Sequence, residues 1–202
     1  MSDPKGGIGI VACGALASEM RAVLQLKRHV PVTVRYLPAK LHNRPQLIPD
    51  AVREELSDLA KSHSGLFVGY GDCGTGGRLD VVLHEFAATR LEGAHCYAFF
   101  SGPDTFETLN GEEIGTFYLT DYLARQFENL VWRGLGLDRH PELLPDYFSH
   151  YTRLVYLAQT DDPRLEVTAR AAADRLGLRF ERRDTGLAPF AAQVDRWLGD
   201  AA

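Results

Sequence analysis

The stretch that decides the fold is GLFVGYGDCGTGG, residues 65–77. Its first part, residues 65–71, is a continuous apolar run of the kind that a parallel sheet buries on both faces, so it predicts a strand. Its second part, residues 72–77, is rich in glycine and carries a single cysteine, Cys73. The question that this loop raises is whether it cradles a phosphate or presents a thiolate.

Outward from this stretch, strand and helix patterns alternate along the chain. Short β-rich runs are separated by segments with the apolar spacing of amphipathic helices, and proline and glycine punctuate the boundaries. The predicted elements are strands at 8–12, 31–38, 65–71, 93–102, 151–160 and 178–185, and helices at 15–29, 47–63, 78–91, 162–177 and around Trp197.

This order predicts an α/β fold: a three-layer, Rossmann-like arrangement around a mostly parallel sheet with right-handed crossovers. Residues 103–150 interrupt the alternation after the fourth predicted strand, and they are rich in aromatic residues and predominantly helical in pattern. We therefore expect a single α/β domain over residues 1–202, with a helical insertion at 103–150. The apolar helices of the insertion make a homodimer an expectation as well.

Composition and charge narrow the class of protein. A formal net charge of -5 over 202 residues argues against a nucleic-acid partner. No apolar run approaches the roughly 20 residues that span a bilayer, so no membrane partner is expected. The apolar stretch near the N-terminus lacks a basic leader and is interpreted as a first strand, which makes the expected location cytoplasmic. The three cysteines are an odd number, which argues against a disulfide framework.

All three cysteines map to the same edge of the predicted sheet. Cys13 follows the first strand, Cys73 lies in the loop after the third, and Cys96 falls within or near the end of the fourth. The carboxyl ends of parallel strands share one edge, and open α/β sheets bind their ligands there. The sequence therefore predicts a shared thiolate site, although buried cysteines are also common in strands.

The glycines around the cysteines support this interpretation. Glycine allows a close approach of the backbone to a ligand, and successive amides can donate hydrogen bonds to sulfur or to an anion. Such donors, with the start of the next helix, would lower the pKa of the Cys73 thiol. The residues predicted to line the ligand site are Gly14, Gly71, Gly74, Thr75, Gly76 and His95.

A phosphate site is the weaker interpretation. The glycine spacing resembles a dinucleotide-binding loop, but that fingerprint requires the loop to follow the first strand, with an acidic residue about 20 positions later. Here the loop follows the third predicted strand.

Two histidines enter the predicted site. His42 follows the second strand, and three thiolates with one imidazole form a known tetrahedral zinc set. A histidine in a surface loop is the plain alternative. His95 adjoins Cys96, and because neighbouring strand residues point to opposite faces, we expect it to lie behind the ligands. Glu19 is expected to be solvated, and Asp72 either supports a ligand or stabilises the turn.

The order of these motifs resembles a known family, the one catalogued as domain of unknown function 1638. The resemblance covers roughly residues 8–190. The family more often has Asp-Cys where this chain has His95-Cys96, which weakens any role for an aspartate there. The motifs are VACGALASE (11–19), LHNRP (41–45), YGDCGTGG (70–77), HCYAFFSG (95–102) and GTFYLTD (115–121).

The resemblance places Cys13, His42, Cys73 and Cys96 on the motif positions of the family. It implies a bacterial or archaeal cytoplasmic protein. It also implies an association with corrinoid and one-carbon methyl-transfer systems, so that a corrinoid protein or a methyltransferase protein becomes an expected partner.

Three functions remain open from the sequence. The first is a zinc protein of methyl or sulfur chemistry, in which Cys13, Cys73 and Cys96 bind the metal and His42 or an exchangeable ligand takes the fourth place. The second replaces zinc with a [4Fe–4S] cluster whose fourth iron binds substrate. The third is a metal-free binding module or thiol enzyme with Cys73 as nucleophile. Each expects a small-molecule substrate.

Overall fold

The computed structural model describes residues 6–25 and 31–200, and it shows an α/β protein. The described chain divides into two compact units. Residues up to 99 and those from 190 onward form the first unit, and residues 100–189 form the second. Each unit contains its own sheet of parallel strands. The predicted single sheet is thus two sheets, and the segment 103–150, predicted as a helical insertion, contributes a strand to the second of them.

The sheet of the first unit has four strands in the described residues. They are β1 (Ile8–Cys13), β2 (Val32–Leu37), β3 (Gly65–Gly69) and β4 (Thr89–Arg90). The order across the sheet is β2-β1-β3-β4, and every neighbouring pair is parallel. Each residue of the central strand β1 is buried, which explains why its sequence is apolar throughout and does not alternate. The carboxyl ends of β1 and β3 therefore lie side by side.

The sheet of the second unit has three strands in the described residues. They are β5 (Thr116–Thr120), β6 (Arg153–Ala158) and β7 (Arg179–Asp184). They pair in parallel in the order β5-β6-β7, and the central strand β6 is buried along its length. In both sheets the central strand is buried along its length, and β6 includes one charged residue, Arg153.

Helices connect the parallel strands in both units. The sequence signals are clearest for the helix after β6, where the Asp162 side chain accepts a hydrogen bond from the Arg164 amide at the start and Gly177 adopts a φ of 71° at the end. The helices are α1 (Ala17–Gln25), α2 (Ile48–Leu59), α3 (Arg78–Glu85), α4 (Cys96–Ser101), α5 (Pro103–Glu112), α6 (Asp121–Arg125), α7 (Leu144–Phe148), α8 (Pro163–Leu176) and α9 (Ala188–Asp200), with short 3-10 helices at Gly14–Leu16, Ala39–Asn43, Pro45–Leu47 and Pro141–Leu143 and a π-helix at Phe127–Trp132.

The predicted strand at 93–102 is wrong, because Cys96–Ser101 forms the helix α4. A short apolar run fits a buried strand and a buried helix equally well, so periodicity could not decide between them. The fourth strand lies earlier, at Thr89–Arg90, inside the segment predicted as the third helix. That helix ends early because Ala87 adopts a left-handed φ of 51°.

The first predicted helix is described as far as Gln25, and Leu26 of that prediction lies outside the described residues. None of the helices in the described part of the chain has the length and apolarity that a membrane crossing requires.

Candidate functional site

Cys13 is the last residue of β1 and is buried. The chain turns directly after it, and the Ala15 amide donates a hydrogen bond to the Cys13 sulfur over 3.3 Å. Gly14 makes this turn possible, because a Cβ atom there would lie 3.0 Å from the Leu37 carbonyl oxygen at the end of β2. Burial raises the pKa of the Cys13 thiol to about 11. The thiol is therefore protonated at neutral pH in the metal-free protein.

His42 lies in the 3-10 helix after β2, with its ring beside Cys13. Its Nδ1 atom is 3.1 Å from the Ala39 carbonyl oxygen and 3.8 Å from the Cys13 sulfur. A carbonyl oxygen only accepts, so Nδ1 carries the proton in this contact and Nε2 keeps the lone pair. Burial lowers the pKa of His42, with a smaller contribution from nearby His95. The ring is thus neutral at physiological pH, which is the form that binds metals.

Tyr70 follows β3 directly and completes this side of the site. Ala12 pairs with Gly69 in the register of β1 and β3, so Tyr70 comes next to Cys13. The side chain is 1% exposed. Its ring stacks on the His42 ring with centroids 5.7 Å apart and an angle of 11° between the planes. The phenol thus contacts the imidazole and lies on the same side of the site as the Cys13 thiol.

The glycine-rich loop 71–77 is organised by its own aspartate. The Asp72 carboxylate accepts hydrogen bonds from the amides of Gly74, Gly76 and Gly77 at 3.2, 3.3 and 2.8 Å, and from the Thr75 hydroxyl at 3.0 Å. These hydrogen bonds lower the pKa of Asp72, and the bond from the Gly77 amide has the largest effect. The amides that would hold a phosphate already hold this carboxylate, so the phosphate interpretation is not supported. Gly74, Thr75 and Gly76 were predicted to line the ligand site. Their donors, the two glycine amides and the Thr75 hydroxyl, are engaged with Asp72 and are therefore not offered to a ligand.

The structure places Cys73 at the tip of this turn in a left-handed conformation, with a φ of 50°. Its amide donates to the Ala94 carbonyl oxygen over 2.8 Å. Gly71 allows this approach, because a Cβ atom there would lie 2.7 Å from the Gly93 carbonyl oxygen. The predicted lowering of the Cys73 pKa is wrong: burial raises it to about 12 and outweighs the hydrogen bond from the Gly71 amide, and the charges of Cys13 and Asp72 raise it further.

Cys96 is the first residue of α4, and the segment before it lies against the Cys73 loop. The amides of Asp72 and Cys73 donate to the carbonyl oxygens of Gly93 and Ala94, at 3.4 and 2.8 Å. Part of Cys96 is exposed, but burial of its sulfur, followed by the charges of Cys73 and Cys13, raises its pKa well above the usual value. The negative charge of one thiolate would thus raise the pKa of the other two thiols.

Arg90 fixes the segment that carries Cys96. Its guanidinium pairs with Asp80 at 2.6 Å and donates to the carbonyl oxygens of Leu91 and Gly93 at 3.1 and 3.2 Å. Its charge also lowers the pKa of Cys73, although burial prevails there. The end of β4 is therefore tied to the loop beside the thiols.

The predicted residues that the structure brings together are Cys13, His42, Cys73 and Cys96, with His95 close enough to His42 to affect its pKa. The reason given for setting His95 aside does not hold, because Cys96 begins a helix and not a strand. Within the described residues, no group of three or more His, Cys, Asp or Glu side chains is arranged to hold a metal ion as it stands. Metal binding would require the thiols to move closer together.

Sequence reasoning missed two residues of this site. Glu19, expected to be solvated, is buried and lies close enough to Cys96 to raise its pKa. Its spacing of three residues from Leu16, on the face that α1 buries, was the available signal. Tyr70 could have been found from its place directly after a strand that neighbours the Cys13 strand.

The similarity of this chain to a solved structure is low. Ornithine carbamoyltransferase from Pyrococcus furiosus matches with a TM-score of 0.28 and 14% sequence identity over 88% of this chain and 54% of that chain. The chain thus spans about half the length of that protein, and at this TM-score the likeness carries no argument. No curated protein matches the chain.

A family model matches residues 36–193, and its description is "Protein of unknown function (DUF1638)". His42, Cys73 and Cys96 lie inside the matched range, and Cys13 lies before it. The match covers most of the chain, and this chain therefore belongs to the DUF1638 family.

Proposed function

We propose that this chain is a zinc-binding α/β protein in which the thiolates of Cys13, Cys73 and Cys96 hold the metal at the carboxyl edge of the first sheet. The observation that carries the proposal is that the three cysteines, although spread over residues 13–96, lie near enough to one another for the charge of one to raise the pKa of another. Cysteines that only filled the core would have no reason to meet.

Zinc suits this set of donors better than the common hard cations. Magnesium and calcium take oxygen ligands, whereas zinc takes thiolate sulfur and neutral imidazole nitrogen. Burial and mutual repulsion both oppose ionisation of the thiols, because both disfavour the negative thiolates. A cation among the thiols would offset both effects, because it neutralises the thiolate charge.

His42 is better placed to support Cys13 than to complete the metal shell. Its Nδ1–H group faces both the Ala39 carbonyl oxygen and the Cys13 sulfur, and the two ring nitrogens of an imidazole point in roughly opposite directions. A hydrogen bond from His42 would stabilise the Cys13 thiolate, as outer-sphere partners of metal ligands do. The fourth position on the metal then remains for an exchangeable ligand, which is the arrangement of a catalytic zinc site.

Methyl transfer to a substrate thiol is the chemistry that such a site would favour. With zinc held by Cys13, Cys73 and Cys96, the metal would lower the pKa of a substrate thiol at the open position, so that the thiol would give its proton to solvent and act as a nucleophile at neutral pH. Its sulfur would attack a methyl carbon, and the donor would leave with the electron pair of the broken bond. A corrinoid protein as the methyl donor fits the family context.

The metal-free thiol enzyme is a weaker proposal. A cysteine nucleophile needs a thiolate near neutral pH, whereas burial raises the pKa of Cys73 to about 12. The amides of Gly74, Gly76 and Gly77 in its loop donate hydrogen bonds to the Asp72 carboxylate and so do not stabilise a Cys73 thiolate.

Elemental analysis of protein purified without oxygen tests the proposal. We expect about one zinc per chain, no visible absorption, and loss of the zinc in Cys73→Ser and Cys96→Ser variants. His140→Ala is the matched control, because this exposed histidine of the second unit pairs only with Glu142 in the described structure. Iron with absorption near about 400 nm would replace zinc with an iron–sulfur cluster. Protein with neither metal, which also takes up none when it is added, would defeat the proposal.

A further inference from the structure

Tyr70 holds a buried hydroxyl group next to the thiols. The residue is 1% exposed, and its position is fixed from two sides, by the end of β3 and by the His42 ring stacked on its own. The hydroxyl is near enough to Cys13 and Cys73 for both to raise its pKa, after burial, which has the larger effect. The phenol is therefore directed into the thiol cluster.

This hydroxyl is not satisfied by the protein as it stands. Among the described residues, no atom forms a hydrogen bond of regular geometry with it. The hydroxyl does approach the Cys13 sulfur closely enough for a hydrogen bond that lowers the pKa of Cys13 and raises that of Tyr70, but sulfur is a weak acceptor. A buried polar group without a good partner costs about 1–3 kcal/mol. A tyrosine kept at such a cost, where phenylalanine would fill the same space, indicates a partner that arrives with a ligand.

We propose that Tyr70 is a ligand-contacting residue, whose hydroxyl donates a hydrogen bond to a small thiolate bound at the fourth position of the metal. This inference rests on the proposed zinc site. A thiolate sulfur on zinc keeps lone pairs that accept a hydrogen bond, and it is the substrate class of the proposed chemistry. Since Tyr70 is almost fully buried, its partner must enter the site and cannot be a surface ligand.

The competing role is a structural one, in which the hydroxyl serves Cys13. In that case Tyr70 would support the metal through one of its protein ligands, and the exchangeable ligand would not feel its removal. The two roles differ in what the Tyr70→Phe substitution changes: the affinity for the small thiol in the first, and the affinity for the metal in the second.

Tyr70→Phe in the full-length protein loaded with Co²⁺ separates these roles. Titration with 2-mercaptoethanol as the probe, followed by the sulfur-to-cobalt absorption, gives the dissociation constant for the thiol, and a competition with a chelator gives the affinity for Co²⁺. We expect the dissociation constant for 2-mercaptoethanol to rise by roughly tenfold to hundredfold, as the loss of a hydrogen bond to a charged acceptor predicts. The affinity for Co²⁺ should stay within about twofold of the wild type.

Tyr147→Phe is the matched control, because Tyr147 is an exposed tyrosine of the second unit. An unchanged dissociation constant for the thiol in Tyr70→Phe would overturn the inference, whether or not the affinity for Co²⁺ falls. A wild-type protein that binds no Co²⁺ or Zn²⁺ would instead defeat the zinc site itself. The two failures are therefore distinguishable.

Discussion

The carboxyl edges of the two sheets use buried polar residues in opposite ways. In the second unit, the Asp121 carboxylate is fully buried and accepts hydrogen bonds from the Tyr156 hydroxyl, the Gln159 amide and the Thr160 hydroxyl, at 2.7, 3.0 and 2.5 Å. In the first unit, the Tyr70 hydroxyl is buried without a partner of regular geometry, and desolvation raises the pKa of each of the three thiols beside it.

This difference distinguishes a hydrogen-bond network that stabilises the fold from a site that could bind a ligand. A satisfied network such as that of Asp121 stabilises the fold and leaves no capacity for a ligand. Polar groups that are buried without partners reduce stability and are retained where something else supplies the partner. We therefore propose that the first edge binds a ligand and that the second stabilises the fold.

The largest expected effect is at the satisfied edge. Asp121→Ala leaves two buried donors, the Tyr156 hydroxyl and the Gln159 amide, without an acceptor, so we expect the free energy of unfolding, measured by urea denaturation, to fall by about 3 kcal/mol or more. Asp146→Ala, at an exposed position of the same unit, should change it by less than about 1 kcal/mol. Folded Asp121→Ala protein should still bind zinc as the wild type does. Loss of zinc binding without loss of stability would reverse the assignment of the two edges.

A smaller effect sharpens the comparison, because each edge contains one buried tyrosine. Tyr156→Phe removes a donor to Asp121 and should cost about 1–2 kcal/mol of unfolding free energy. Tyr70→Phe removes a hydroxyl that lacks a good partner, so the unfolding free energy of the metal-free protein should stay about the same or rise. Thermal or urea unfolding of both variants side by side measures this. Equal losses would show that the Tyr70 hydroxyl has a structural partner in the free protein.

Much of the fold could be predicted because the determinants are local. The apolar runs of β1 and β3, and the Asp162 and Gly177 signals at the ends of α8, act within a few residues. The failure at Cys96–Ser101 has the opposite cause, because its apolar residues satisfy either a helix or a strand and tertiary packing decides.

The site could be predicted in its residues but not in its electrostatics. The parallel topology was enough to predict that Cys13 and Cys73 lie at one edge of the sheet, because the carboxyl ends of parallel strands lie at the same edge. The glycine amides near Cys73 were visible in the sequence, but their capture by Asp72 and the burial of the sulfur were not. Both depend on how the loop folds back on itself, which no spacing rule encodes.

The central claim is that the thiols of Cys13, Cys73 and Cys96 become the thiolate ligands of one metal ion. Burial raises the pKa of Cys13 to about 11 and that of Cys73 to about 12, and raises that of Cys96 well above its usual value. All three are protonated at neutral pH, and zinc binds thiolates, so binding must release protons. His42 adds none above about pH 6.5, because burial lowers its pKa and the ring is already neutral.

The most direct measurement is therefore the number of protons released when zinc binds the metal-free protein, obtained by calorimetry in buffers of different ionisation enthalpy. We predict about three protons at pH 7, and an apparent affinity that rises by up to about a thousandfold for each pH unit up to about pH 11, the pKa of the Cys13 thiol. Cys73→Ser should release about two. Zinc binding with no proton release, or with no dependence on pH, would contradict the claim that these thiols are the ligands.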